Sequence, residues 1–65
     1  MSNDSDLAEL STLRAQVEEI VRRVTTVAEH YGDTPDSAVA ADLFAAERSL
    51  IAARRQLDRA TAHLT

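Results

Sequence analysis

The side chains able to do chemistry in this chain are few and far apart. His30 and His63 are the two imidazoles, and Arg14, Glu47, Arg54 and Gln56 are the polar groups placed close to apolar columns. Imidazole is a common zinc ligand, and Asp6 or Asp33 could add oxygen ligands. In an antiparallel hairpin, however, His30 and His63 end opposite helices and lie at opposite ends of one chain, so only a second chain could bring them together. A histidine in the last helical turn also complements the helix dipole, which is the simpler role. No metal and no cofactor are expected. The serines have no histidine at helical spacing, and no glycine-rich phosphate loop is present. Arg14 and Arg54 suit the edge of a core, with apolar stems buried and charged heads in water; Arg54 is expected to pair with Asp58 one turn later. The expectation is a non-enzymatic protein, with a small all-helical enzyme using Arg14, Glu47, Arg54 and Gln56 inside a bundle as a lesser alternative.

One further polar pattern is the stripe Arg48, Arg55 and Arg59. Helical bundles can bind RNA through shape and phosphate contacts, so this stripe is the nucleic-acid candidate. Opposing it, Asp58 lies beside the stripe and no aromatic residue is interleaved. The whole chain carries a net charge of −4, whereas phosphate binding needs a positive surface. The charge is uneven: residues 1–33 hold seven acids and three arginines, and residues 34–65 hold four of each. A solvated face is the favoured account.

The elements that must position these groups follow from length and period. With 65 residues, one glycine, one proline and no cysteine, the chain is one structural unit without disulfides. Chains this short rarely bury enough apolar surface to fold alone, and a partner chain is the usual remedy when disulfides and metals are absent. The start, MSNDSD, is polar, and no stretch approaches the ~18 apolar residues of a membrane span. A cytoplasmic protein is expected.

From Leu10 the apolar residues run Leu10, Leu13, Val17, Ile20, Val24, Val27 and Tyr31, with gaps alternating between three and four. That is a heptad-type helical seam. The β-branched run VTTV at 24–27 is a local weak spot. Asp6 with Glu9 resembles a capping box, with Ser5 as an alternative cap, so the first helix is expected over about 6–31 behind a disordered tail, 1–5. Gly32 suits the left-handed position after a helix end. Thr34 can cap the next helix, with Pro35 at its first position. The turn is expected at 32–35 and the second helix over about 35–64. Its seam reads Val39, Leu43, Ala46, Leu50, Ala53, Leu57, Ala60 and Leu64. The short turn forces an all-α antiparallel hairpin. No motif specific to a known family of short helical hairpins is present.

Each helix carries a second apolar column. On the first it is Leu7, Val21 and Ala28, interrupted by Arg14; on the second it is Phe44 and Ile51, with Ala40 and Ala41 beside them. Leaving Phe44 and Ile51 exposed forgoes roughly 1.5–3 kcal/mol of burial each. A second copy of the hairpin, giving a four-helix bundle, covers such a column. The expectation is therefore a homodimeric interaction module with Val21, Ala28, Ala40, Phe44 and Ile51 at its interface. Docking of a larger protein partner on the same face is the alternative. In a third arrangement, a slightly rotated hairpin tucks Phe44 and Ile51 inside itself.

Overall fold

A computed structural model describes residues 3–65. Two α-helices, α1 (Asp4–Tyr31) and α2 (Ser37–Leu64), pack against each other across the connection 32–36. Each has 28 residues, about 42 Å at 1.5 Å per residue. The chain ends meet: the Asn3 side-chain amide donates to the Leu64 carbonyl at 3.2 Å, as an antiparallel hairpin requires. Among the described residues no strand is present.

The start of α1 differs from the capping-box expectation. The helix begins at Asp4, so Asp4 and Ser5 belong to it and not to a tail; Met1 and Ser2 lie outside the described residues. Asn3 occupies the cap position without a side-chain capping bond. Its carbonyl accepts the Leu7 N–H at 2.8 Å, while its amide is spent on the far end of α2. Asp4 and Asp6 lie in the first turn, where negative charge meets the positive helix end.

The connection is also built differently from expectation. Gly32 has φ −59° and ψ −37°, an ordinary right-handed conformation, so the left-handed cap predicted for it does not form. Thr34 closes the turn instead. Its hydroxyl donates to the Tyr31 carbonyl at 2.9 Å and accepts the Asp36 N–H at 3.1 Å. One threonine thereby satisfies a carbonyl at the end of α1 and an amide ahead of α2, the kind of backbone group that a helix end leaves open. Pro35 falls within the turn, and α2 starts at Ser37 with Asp36 at its cap position. The VTTV segment stays helical. The Thr26 hydroxyl donates to the Arg22 carbonyl four residues back at 3.0 Å, and the Thr25 hydroxyl reaches across to Glu47.

The seam between the helices is rotated from the predicted one. On α1 the more covered residues are Leu7, Leu10, Arg14, Val17, Val21, Val24, Ala28 and Tyr31, with Glu18 and Thr25 beside them. This series keeps Leu10, Val17, Val24 and Tyr31 but replaces Leu13, Ile20 and Val27 with the column holding Arg14, Val21 and Ala28. On α2 the matching series is Ala40, Leu43, Glu47, Leu50, Arg54, Leu57, Thr61 and Leu64, flanked by the partly covered Phe44 and Ile51 on one side and Ala46 and Ala53 on the other. Ala28 and Ala40 are 0% and 4% exposed and form the buried core among the described residues; no large side chain is fully buried. Ala28 and Ala40 therefore belong to the inside of the hairpin, not to the outer interface assigned to them from sequence. Val21, Phe44 and Ile51 are half-buried in the single chain.

Two predictions follow from these positions. A Cβ at Gly32 meets nothing nearer than the Glu29 carbonyl at 4.0 Å, and the backbone there suits any L-residue. Gly32→Ala should stabilise the fold by about 0.4–1 kcal/mol in urea denaturation, through the lower entropy of the unfolded chain; a loss of stability would restore the left-handed turn. Ala28→Leu should cost about 1–3 kcal/mol by overpacking the fully buried site of Ala28. An unchanged midpoint would mean that the helices do not meet there.

Candidate interaction surface

Rotation of the seam gives the hairpin two unlike long edges. One edge is polar. The Arg14 Nε donates to the Asp58 Oδ1 at 2.5 Å, and the same guanidinium pairs with Glu18 one turn along α1. Glu47, at a seam position of α2, accepts a hydrogen bond from Thr25. Asp58 belongs to the column of Phe44 and Ile51, so these two flank the seam on the Arg14 edge and are partly covered by it. The predicted pairing of Arg54 with Asp58 is absent, because Arg14 from the opposite helix takes that carboxylate. Arg54 sits in the seam itself, with its Nε buried and without a hydrogen-bond partner.

The pairing shows in proton affinity. Asp58, helped by Glu18, raises the Arg14 pKa above its ordinary value against a smaller desolvation effect. On the outer side of α1, a hydrogen bond from Arg22 holds the Glu19 carboxyl below its usual range. Both groups are solvated, so they contribute little to stability, as surface pairs generally do.

The other edge is apolar. Leu13, Ile20 and Val27 on α1 are 37%, 44% and 44% exposed, and Val39 on α2 is 42% exposed. Ile20, Val24 and Val27, with Arg23 beside them, and Leu43 of α2 line an open groove of about 310 Å³. Val39 lies one turn before Leu43, and Ala46, Ala53 and Ala60 continue its column at seven-residue steps. Half of the predicted seam, the Leu13/Ile20/Val27 column, is thus an outward surface. Sequence reasoning missed this because the three–four gaps over Leu10–Tyr31 form a regular seam that includes Leu13, Ile20 and Val27. The Arg14 guanidinium leaves the seam sideways to Asp58 and Glu18.

The remaining candidates are scattered. Arg48, Arg55 and Arg59 are all exposed, on the solvent side of α2. His30 lies in the last turn of α1 and His63 in the last turn of α2, at opposite ends of a body 55 Å long. Among the described residues no group of three or more His, Cys, Asp or Glu could hold a metal ion. Among the described residues no helix is long and apolar enough to cross a membrane. Gln56 is exposed.

A buried donor without a partner costs about 1–3 kcal/mol. Arg54→Met keeps the apolar stem and removes that donor, so it should raise stability by about 1 kcal/mol in chemical denaturation. A comparable loss would show that the Arg54 head makes an essential contact. Comparison with models of protein families, with curated proteins and with solved structures finds no match to this chain.

Proposed function

We propose that this chain is a small non-enzymatic protein–protein interaction module that self-associates through a helix face, two hairpins together making a four-helix bundle. It serves either by itself or as an accessory subunit of a larger assembly. The observation that carries this reading is the absence of a covered core among the described residues: the buried ones are two alanines, and every large apolar side chain there keeps some exposure. The radius of gyration is 15.3 Å, against about 11 Å for a compact chain of this length. The accessible surface of 4789 Å² exceeds the roughly 4,100 Å² typical of a folded monomer of 7.1 kDa.

Area supports a second chain as the remedy. Two separate hairpins expose twice 4789 Å², whereas a compact body of their combined mass exposes about 6,800 Å². Merging them can therefore cover on the order of 2,800 Å², within the range of obligate dimers. The apolar edge is the part of the surface best suited to that burial, since leaving four large apolar side chains in water forgoes the main driving force of folding.

Sedimentation equilibrium at micromolar concentration should return a mass of about twice 7.1 kDa. The thermal midpoint should rise with protein concentration, because association is linked to folding. Ile20→Glu should abolish the dimer and most of the helicity with it. A folded monomer whose melting is independent of concentration would end this reading.

A further inference from the structure

Building on the self-association reading, we infer that the occupant of the apolar edge is a second copy docked with its turn at the same end. Each α1 then lies on the partner's α2, and Leu13, Ile20 and Val27 seat against alanines 60, 53 and 46 of that copy. Three features of the chain converge on this arrangement.

The first is size. The apolar edge has large side chains on one helix, Leu13, Ile20 and Val27, and small ones on most of the other, Ala46, Ala53 and Ala60. Stacking α1 on α1 sets large against large and α2 on α2 sets small against small, which wedges the two layers apart at one side. Stacking α1 on α2 sets every large residue over an alanine, so that facing layers interdigitate at even spacing.

The second is register. Within one hairpin, Arg14 pairs with Asp58 and Thr25 with Glu47, so the two helices run past each other in a constant antiparallel alignment. A two-fold axis along the bundle preserves that alignment between α1 and the second copy's α2. The same heights that bring Arg14 to Asp58 bring Leu13 to Ala60, Ile20 to Ala53 and Val27 to Ala46, within a residue. No sliding is needed to match the three pairs.

The third is charge. The polar column bordering the apolar edge reads Glu9, Gln16, Arg23 and His30 on α1, and Asp42, Ser49, Gln56 and His63 on α2, and all eight are exposed. In the proposed docking Glu9 faces His63, His30 faces Asp42, Gln16 faces Gln56 and Arg23 faces Ser49. No like charges meet, and every polar side chain at the rim has a partner able to hydrogen-bond to it. Such complementarity fixes orientation more than it adds affinity.

The chain has no cysteine, so single cysteines report contacts without a background. Ile20→Cys and Ala53→Cys are prepared separately, checked for helicity, mixed, equilibrated and gently oxidised. The mixture should give a cross-linked species of about twice 7.1 kDa, and each variant alone should give little. A disulfide needs Cα atoms within about 7 Å, a separation available to facing residues on helices packed about 8–10 Å apart but not to diagonal pairs of a bundle. Self-cross-linking of Ile20→Cys alone overturns the docking in favour of end-to-end reversed hairpins. A wild-type dimer whose mixture fails to cross-link, with Ile51→Cys cross-linking to itself, overturns the choice of face while leaving self-association standing. A wild-type monomer by sedimentation defeats self-association itself, whatever the cysteines do.

Discussion

Two helices in contact can share only one seam, and the limited capacity of that seam governs the rest of this molecule. At the turn end it is narrow, with Ala28 and Ala40 as its buried members. Small residues let the backbones approach closely, but they bury little apolar area. Further along, the seam contains Arg14, Glu47, Arg54 and Thr61, whose polar ends must leave it to find water or partners. A contact made this way aligns two long helices without enclosing a large side chain. The result is a rod 55 × 15 × 10 Å, about one helix thick.

The polar members of the seam also explain why its two edges differ. Arg14 and Glu47 direct their charged ends toward one side, where Asp58, Glu18 and Thr25 receive them. Charge collects on that edge, and Phe44 and Ile51 lie beside it, half-covered. Nothing comparable occupies the other edge, which holds Leu13, Ile20, Val27 and Val39. Sorting the polar groups to one side leaves an apolar face on the other, and an amphipathic layer of that kind is completed by a second layer. In the proposed dimer, the polar seam residues leave the opposite face free for that second layer.

Much of the architecture was legible in the sequence: two helices, one short connection near Gly32 and Pro35, and an antiparallel pairing. The three–four alternation over Leu10–Tyr31 identified helix despite the β-branched run at 24–27, because periodicity summed over three heptads outweighs a local propensity. The caps were less legible. Asp6, Ser5 and Gly32 all carried the right residue types, yet Asn3 and Thr34 do the joining, through bonds that exist only once both helices are in place. The exposed face was legible as a set of apolar residues but was placed on the inside, since Leu10, Val17 and Val24 form an equally regular seam with the column before them or the column after them.

Helix, hairpin and a surplus of apolar surface were determined by the order of residues alone, because period, turn chemistry and chain length are local or additive properties. Which column of each helix turns inward was decided only by the tertiary structure. Two seams of the same period differ by a rotation of a fraction of a turn, and the choice depends on contacts between residues more than 20 positions apart. Arg14 finding Asp58 and Thr25 finding Glu47 make the polar column tolerable inside. With that column inward, Leu13, Ile20 and Val27 are more exposed than Phe44 and Ile51.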